Sequence, residues 1–316
     1  MPELPDVTVY VERIGERVGE GPLERIRLAS PFVLRTAVPP LSEASQKRVV
    51  AVRRLGKRIV FELEGELFLV VHLMVAGRFR FLDPSAKIPG KVGLAAFDFP
   101  RGSLVLTEAS TKKRASIHLV RGRDALAAFD RGGLELAGAS AAAFRAAMSR
   151  ENHTLKRALT DPTILSGVGN AYSDEILHRA KLSPVTQTKL LDDDAWSRLH
   201  RATLDVLAEW TDRLREESKG GFPEKVTAFR EEMAVHGKFG KPCLVCGTRV
   251  QRIRYADNET NYCPTCQTGG KLLADRGLSR LLGKDWPKTL EELEERKAGV
   301  APVTKRAAPR KTTERA

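Results

Sequence analysis

The sequence Cys243-Leu244-Val245-Cys246 is followed, after sixteen residues, by Cys263-Pro264-Thr265-Cys266, and these are the only four cysteines of the chain. Two C-x-x-C pairs at this separation are typical of a zinc site, because each pair can grip the metal with two thiolates from one tight turn. Two disulfides or four free thiols are the alternatives. Four protein ligands leave no open position for water, so a bound Zn²⁺ would be structural.

The sixteen residues between the two pairs are enough for a β-hairpin, and they carry Arg249, Arg252 and Arg254. A zinc ribbon that holds a basic hairpin usually serves a partner. The composition points to the same kind of partner, because 53 Lys and Arg against 40 Asp and Glu leave a net charge of +13. Such an excess favours a polyanion, and we expect nucleic acid.

The start of the chain has acidic residues early and no basic stretch before an apolar core, so it does not resemble a signal peptide. No run of 18 apolar residues occurs, which excludes a transmembrane helix of ordinary length. Cysteines reserved for a metal fit a reducing compartment. We therefore expect a cytoplasmic protein.

Local patterns divide the chain into a strand-rich part and a helical part. Asp6 is expected to cap a helix over residues 7–18, whose apolar residues recur on one face. Short segments rich in branched residues then predict strands at 23–28, 49–52, 58–63, 67–73, 78–82, 94–99, 103–108 and 116–120. Many short strands in succession predict a β-sandwich or a partly open barrel. From residue 139 to about 217 the pattern is helical.

The last 46 residues, 271–316, hold twelve basic and seven acidic residues, so most of the net charge lies elsewhere. A short helix is predicted at 289–297. The Ala-, Pro- and Lys-rich stretch from 298 onward is predicted to be disordered. It is either a solubilising tail or a source of weak electrostatic affinity for DNA.

Three separated motifs occur in a characteristic order. They are PELPDV at residues 2–7, SGVGNAYSDE at 166–175, and the terminal pair of C-x-x-C sequences. In this order they resemble the formamidopyrimidine-DNA glycosylase and endonuclease VIII family of base-excision repair enzymes, over roughly residues 1–268. The resemblance implies an α+β protein: an N-terminal β-sandwich flanked by helices, and a C-terminal helical domain with a helix-two-turn-helix element and a zinc-finger hairpin. Damaged duplex DNA would lie between the two.

With that resemblance the chain is divided as follows. Residues 1–122 form the catalytic sandwich domain, 123–138 a linker, and 139–218 the helix-two-turn-helix domain. Residues 219–270 hold a substrate-loop region and the four-cysteine zinc finger, and 271–316 form the tail. No feature demands more than a monomer.

The resemblance makes Pro2 the nucleophile, which requires that Met1 be removed. An α-amino group has a pKa of about 7.7–8, against ~10.4 for a lysine, so a useful fraction is neutral at physiological pH. A secondary amine can attack C1′ of a deoxyribose and form a cationic Schiff base. Glu3 is implied as the general acid and base, and Lys57 as the cation that reaches the flipped nucleotide and its phosphate. Asp6, where the family often has Glu, is given a supporting role only.

The glycine-rich motif suggests a phosphate clamp. Gly167, Val168 and Gly169 can present consecutive backbone N–H groups just before a helix, with Asn170 as cap and phosphate ligand. An ordinary glycine turn between packed helices is the alternative. Lys156 is implied as a further phosphate contact.

Two departures concern the residues that fill the gap left by a flipped base. The family's HLGMSG sequence is His72-Leu73-Met74-Val75-Ala76-Gly77 here, so Met74 is shifted by one residue. In a strand such a shift turns a side chain to the other face, and Met74 is either a gap filler or a core residue. The family's Arg and Phe loop corresponds to residues 108–115, which contain Arg114 but no Phe.

A third departure lies in the hairpin, where the family's phosphate-binding Arg corresponds to Asn258. Asn donates a hydrogen bond but brings no charge and no guanidinium fork. Arg252 and Arg254 are the residues that could compensate. The resemblance implies a bifunctional glycosylase and lyase for oxidised bases. Residues 222–240 resemble the loop region of the purine-type enzymes in length, which tilts the prediction toward 8-oxoguanine and formamidopyrimidines. The alternatives are a preference for oxidised pyrimidines, or a non-catalytic protein that binds damaged DNA.

Overall fold

A computed structural model describes residues 1–19, 21–224, 226–227, 229–255, 258–274, 280 and 282–299. The stretch predicted to be disordered, from 298 onward, therefore lies almost wholly outside the described residues. Within them, no helix is long and apolar enough to cross a membrane.

The chain begins with helix α1 (Leu4–Val18), which buries Val7, Tyr10, Ile14 and Val18 on one face, as the periodicity predicts. The helix starts earlier than predicted. Glu3, and not Asp6, is the N-cap residue, and the backbone N–H of Glu3 donates to Asp6 Oδ2 at 2.9 Å. Asp6 is thus the third residue of the helix, and its side chain caps the backbone N–H of Glu3 as part of a capping box.

Two antiparallel sheets form the N-terminal half and confirm the predicted β-sandwich. The strands are β1 (Pro22–Leu23), β2 (Arg25–Leu28), β3 (Lys47–Leu55), β4 (Arg58–Leu63), β5 (Leu67–His72), β6 (Gly77–Leu82), β7 (Gly93–Phe99), β8 (Gly102–Glu108) and β9 (Ser116–Arg121). One sheet has the order β1-β3-β4-β5-β9 and the other β2-β7-β8-β6. Their apolar faces and α1 enclose one core, with Phe61, Phe79 and Phe97 buried in it.

The second half is helical and has a core of its own. The short α2 (Arg123–Ala127) packs against strand β9, and the helices around the second core are α3 (Ala141–Ser149), α4 (Leu155–Thr160), α5 (Asn170–Arg179) and the 25-residue α6 (Asp193–Glu217). Tyr172, Trp196 and Trp210 are buried between them. Helix α6 also contacts α1, where Arg215 pairs with Glu12 at 2.7 Å. The two halves are therefore joined along both helices.

The predicted hairpin is present as β10 (Gln251–Tyr255) and β11 (Asn258–Tyr262), followed by α7 (Pro264–Thr268) and α8 (Leu290–Gly299). Arg252 lies opposite Asn261 in its register. The hairpin packs against α5, and the side-chain amide of Asn170 donates to the backbone oxygen of Glu259 at 2.9 Å. This contact fixes the hairpin beside the start of α5.

Candidate active site and nucleic-acid interface

The amino terminus of the chain lies at the junction of the two halves. Pro2 and Glu3 are buried, and the backbone N–H of Leu4 donates to the oxygen of Gly167 at 2.9 Å. The α-amino group, which belongs to Met1 in the full chain, has its pKa lowered from the ordinary value, chiefly by burial. Burial disfavours the charged ammonium, so an amine at this place is more readily neutral and nucleophilic.

Glu3 is held at the start of helix α5. Its Oε2 accepts from the backbone N–H groups of Gly169 at 2.7 Å and Tyr172 at 3.2 Å, and its Oε1 accepts from Ala171 at 2.9 Å. The first N–H groups of a helix have no partner within the helix and carry a partial positive charge. A carboxylate is the group that such a site stabilises, and Glu3 is 2% exposed there.

This arrangement gives the N–H group of one of the predicted clamp glycines a partner within the protein. The N–H of Gly169 is used by Glu3, and Gly169 is the residue that caps α5 while Asn170 is its first helical residue. Gly167 has φ +87°, and a Cβ there would lie 2.8 Å from Cβ of Leu4. The glycines therefore permit the close approach of the amino-terminal segment. The anion at this helix start is the protein's own carboxylate.

Lys57 lies in the tight turn between β3 and β4, as predicted, and reaches the same point. A Cβ placed on Gly169 would lie 2.6 Å from Glu3 Oε1 and 2.7 Å from Lys57 Nζ. The pKa of Lys57 is lowered, first by burial, while the negative charge of Glu3 opposes the shift. The structure thus brings Glu3, Lys57 and the amino terminus together around the start of α5.

Asp6 stands directly behind this group. Its carboxyl is almost fully buried, Oδ1 has no hydrogen-bond partner, and Arg230 is the nearest cation at 3.7 Å. Burial raises the pKa of Asp6 to about 6, against the opposing effects of the Glu3 N–H and Arg230. Asp6 accepts the hydrogen bond of the Glu3 backbone N–H and so helps to fix the position of Glu3.

The ammonium group of Lys156 makes its contacts within the protein. Its Nζ donates to the oxygen of Asn170 at 2.7 Å, to Ser173 Oγ at 2.8 Å and to the carboxylate of Asp174. Asp174 is fully buried, and its Oδ2 also accepts from the N–H of Asn261 at 3.1 Å. All three ammonium donors are used. Lys156 therefore ties α4, α5 and the hairpin together and has no donor left over for a phosphate in this arrangement.

A cleft of about 970 Å³ opens in front of the amino terminus. It takes its lining from both halves of the molecule and from the hairpin. The lining residues are Met1, Glu3, Val75, Arg114, Asn170, Ala171, Phe229, His236, Arg254, Asn258 and Glu259. The cleft brings together the predicted residues Glu3, Arg114, Asn170, Arg254 and Asn258. Met74 and Arg252 are not among the residues that line it.

Met74 belongs to a turn and not to a strand, since residues 74–76 connect β5 to β6. The argument that a one-residue shift reverses the face of a strand therefore does not apply. Met74 has φ +52°, is half-buried, and is absent from the hydrophobic cores, which also corrects the core alternative. Val75 is 58% exposed and is the residue of this turn that faces the cleft.

The loop before β9 offers Arg114 as an exposed side chain, while its backbone N–H donates to Glu108 Oε2 at 2.8 Å. An aromatic side chain enters the cleft from elsewhere. Phe229 is 69% exposed and stacks on the buried His236 at 5.6 Å between ring centroids. His236 Nδ1 lies 2.8 Å from Asp174 Oδ2, so the stack rests on a fixed ring.

Sequence reasoning did not single out Phe229, His236 or His72. Their short-range pattern is that of an ordinary loop and a strand end, and only the fold brings them to the cleft or beside Lys57. Glu175 was also missed as an anchor. Its buried carboxylate accepts from the backbone N–H groups of residues 234–236 at 2.8 to 3.0 Å, and this fixes the segment that carries His236.

The three predicted DNA-contact residues of the hairpin, Arg252, Arg254 and Asn258, differ in their environment. The guanidinium of Arg252 pairs with Glu259 at 3.1 Å and lies 4.1 Å from the ring centroid of Phe239, so it serves the fold of the hairpin. Arg254 and Asn258 are exposed and line the cleft. Arg254 is thus the hairpin cation that faces the place where a partner would bind.

The four cysteines converge below the hairpin. Their Sγ atoms all lie within 4.8 Å of one another, with 4.0 Å between Cys243 and Cys266 and 3.4 Å between Cys246 and Cys263. These separations exceed a disulfide bond and suit a tetrahedron with bonds of about 2.3 Å, whose corners are roughly 3.8 Å apart. His178 Nε2 lies 3.3 Å from Cys243 Sγ, as an outer partner that would orient the thiolate. The donor set fits Zn²⁺.

Comparisons with known proteins agree with this geometry. The formamidopyrimidine-DNA glycosylase N-terminal domain matches residues 1–119, the H2TH domain of the same enzymes matches 136–216, and a zinc finger found in FPG and IleRS matches 240–269. A formamidopyrimidine-DNA glycosylase of Thermus thermophilus is 32% identical over 85% of this chain and 100% of its own. A glycosylase-like protein of Mycobacterium tuberculosis, itself uncharacterized, is 44% identical over 40% of this chain and 79% of its own.

Solved structures show the same likeness. The Lactococcus lactis FPG (MutM) in complex with a FAPY-dG-containing DNA superposes with a TM-score of 0.74 at 26% identity, covering 84% of this chain and 100% of the other. The same enzyme with an abasic-site DNA gives a TM-score of 0.73 at 25% identity, covering 84% and 99%. Three family domains in order and a full-length relative at 32% identity show that the chain belongs to the formamidopyrimidine-DNA glycosylase family of DNA-repair enzymes.

Proposed function

We propose that the protein is a bifunctional DNA glycosylase and AP lyase that removes oxidised bases, foremost 8-oxoguanine and formamidopyrimidines, from duplex DNA. The observation that carries the proposal is the placement of the buried Glu3 carboxylate beside the amino terminus, at the mouth of a cleft wide enough for a nucleotide. The glycosidic carbon cannot be reached inside the base stack, so the damaged nucleotide is flipped into this cleft.

The chemistry begins after Met1 is removed. The Pro2 nitrogen forms a bond to C1′ while the bond from C1′ to the base breaks, and the departing base takes a proton from water. The Glu3 carboxylate accepts the proton that the Pro2 nitrogen loses and passes it to the ring oxygen, so that the sugar opens to an iminium ion. Loss of the C2′ proton breaks the bond to the 3′ phosphate, and a second elimination breaks the bond to the 5′ phosphate. Both phosphates remain on the ends of the gap.

The remaining residues hold the DNA. Lys57 contacts the backbone phosphate of the flipped nucleotide, and Arg114, Arg254, Asn170 and Asn258 contact the duplex from the two walls of the cleft. The four cysteines would hold one structural Zn²⁺ that closes the base of the hairpin. The protein acts as a monomer in the bacterial cytoplasm, associated with the nucleoid through DNA.

Borohydride trapping tests the proposal. The purified protein is incubated with duplexes that contain an abasic site, 8-oxoguanine or an oxidised pyrimidine, and Pro2→Gly is compared. A covalent complex weakened by Pro2→Gly is expected, and the duplex that traps best names the substrate class. Tight binding without trapping on any duplex would instead favour a non-catalytic protein that binds damaged DNA. The absence of Phe from residues 108–115 and the presence of Asn258 in place of an arginine are consistent with that alternative.

Mass spectrometry of the same preparation shows whether Met1 has been removed. A chain that keeps Met1 has no free amine on Pro2, because that nitrogen is then part of a peptide bond. Retained Met1 together with undiminished trapping would contradict the assignment of Pro2.

A further inference from the structure

A second cavity adjoins the cleft at Met1, which lines both. Its volume is about 310 Å³, larger than a phosphate group needs. The lining residues are Met1, Gly56, Lys57, Arg58, His72, Phe129, Asp130, Arg131, Thr160, Pro162, Ser166 and Gly167. Three of these are basic residues, Lys57, Arg58 and Arg131, and the cavity lies directly beside the proposed nucleophile.

The cations of this cavity are only partly compensated by the protein, because the Glu3 carboxylate acts on Lys57 but not on the two arginines. Within the described residues, Lys57, Arg58 and Arg131 form no salt bridge, although Asp130 stands at the rim and accepts from the N–H of Gly132 at 2.8 Å. Arg58 donates to the backbone oxygen of Phe129 at 3.2 Å. Its pKa is lowered, first by burial and then by the positive charge of Arg131.

The neighbouring Arg54 shows the contrast. It reaches the same region, but its guanidinium is paired with Glu135 and donates to Ser166 Oγ at 3.4 Å. At this junction the charge of one arginine, Arg54, is thus neutralised by a carboxylate of the protein itself. Arg58 and Arg131 have no such carboxylate partner within the described residues, and a bound anion would balance their charge.

We propose that Lys57, Arg58 and Arg131 form a binding site for a terminal phosphate monoester of the cleaved DNA strand. The proposal rests on the strand cleavage proposed above, because that reaction leaves a phosphate on each side of the gap. A phosphate within the backbone carries one negative charge, whereas a terminal phosphate carries about −1.5 to −2 at neutral pH. Three converging cations therefore favour the terminal group over the continuous backbone.

His72 does not add to the charge. Burial and the charges of Arg58 and Lys57 lower the pKa of His72 to about 4, so the ring is neutral at pH 7. The positive charge of the cavity therefore comes from Lys57, Arg58 and Arg131, and His72 contributes none. An arriving dianion would offset the cost of holding these cations together, and that cost is greatest for the partly buried Lys57 and Arg58.

The site can be tested by binding alone. The full-length protein is titrated into duplexes with a one-nucleotide gap that carry phosphates on both ends, only on the 5′ side, only on the 3′ side, or hydroxyls on both. We expect the fully phosphorylated gap to bind about tenfold more tightly than the hydroxyl-ended gap at one fixed salt concentration. The two singly phosphorylated duplexes identify which end enters the cavity.

Arg131→Ala is the principal variant, because Arg131 is exposed and its removal should leave the fold intact. It is expected to abolish most of the preference for phosphate ends. Arg58→Gln is expected to do the same. The matched control is Arg201→Ala, which removes an exposed arginine of α6 that does not line the cavity.

Two results would overturn the site: equal affinity for phosphate and hydroxyl ends, or an Arg131→Ala variant that weakens all four duplexes by the same factor, as loss of general charge does. Borohydride trapping on an intact abasic duplex is measured in parallel. Failure to trap with the phosphate preference intact would refute the proposed lyase and leave the phosphate site standing. The reverse result would refute the site alone.

Discussion

The carboxylate of Glu3 accepts a hydrogen bond of 2.7 Å from the backbone N–H of Gly169, a residue that lies 166 positions further along the chain. This bond joins the start of the sandwich half to the start of helix α5. It places the side chain of Glu3 and a helix terminus side by side next to the amino terminus. The proposed acid–base residue is therefore positioned by the second half of the protein.

Gly169→Ala should disable base removal while leaving the fold intact. The added Cβ would lie 2.5 Å from Glu3 Cδ and 2.7 Å from Lys57 Nζ, so both side chains must move. Misplacing a catalytic group by about 1 Å commonly costs on the order of 10²-fold in rate. We expect a loss of that size in single-turnover excision.

The control is Gly15→Ala in helix α1, where nothing lies within 4 Å of the added Cβ. It should retain full activity and gain slightly in stability, since Ala favours a helix interior. If Gly169→Ala excises the base at the wild-type rate, catalysis does not require Glu3 in its present position.

The strands and most helices could be predicted from local patterns, because the spacing of apolar residues along the sequence reflects which face of each element is buried. The glycine motif shows where such reasoning stops. A helix start after glycines binds an anion in general, and the sequence suggested phosphate. The anion is Glu3, whose approach depends on contacts between distant segments that no local pattern contains. The aromatic Phe229 in the cleft is likewise a product of the fold.

Asn258→Arg should strengthen DNA binding. Asn258 is exposed at the start of β11 and lines the cleft, so an arginine there could pair with a phosphate. A charge-assisted hydrogen bond contributes about 1.5–3 kcal/mol, which corresponds to roughly tenfold or more in affinity. The slope of log K against log salt should steepen by about 0.9.

The measurement is fluorescence anisotropy with an abasic duplex between about 50 and 200 mM salt. Asn258→Ala serves as the comparison and should lower affinity only slightly, because it removes a neutral donor. An arginine variant with unchanged affinity and an unchanged salt slope would mean that no phosphate comes near this position.

Removal of the metal should separate the hairpin from α5. The cysteine cluster holds the ends of β10 and β11, while the contacts of Asn170 with Glu259 and of Asp174 with Asn261 depend on the folded hairpin. Chelation should therefore reduce DNA affinity strongly and leave the far-ultraviolet helical signal nearly unchanged. The helices have their own core.

Elemental analysis should find one zinc per chain, and Cys246→Ser should lower that content. Val245→Ala is the matched control, because Val245 is 67% exposed between two cysteines and offers no ligand. DNA binding that survives complete loss of metal would show that the hairpin is not held in this way.

Asp6 should make the stability of the protein depend on pH. Burial raises the pKa of Asp6 from 3.8 to about 6, so between these values the folded protein binds a proton more tightly than the unfolded chain. The contribution of this proton to the free energy of unfolding is present at low pH and is lost as pH rises through about 6. Because a pKa change of one unit corresponds to about 1.36 kcal/mol, the loss is about 3 kcal/mol.

The comparison variant is Asp6→Asn, which keeps an oxygen for the Glu3 N–H and removes this pH dependence. Urea unfolding from pH 4 to 7.5 should therefore show wild type losing stability relative to Asp6→Asn as pH rises. Asp205→Asn, at an exposed carboxyl of α6, controls for the loss of one charge. If the difference between wild type and Asp6→Asn stays constant over this range, folding does not raise the pKa of Asp6, and the orienting role of Asp6 rests on its hydrogen bond to Glu3 alone.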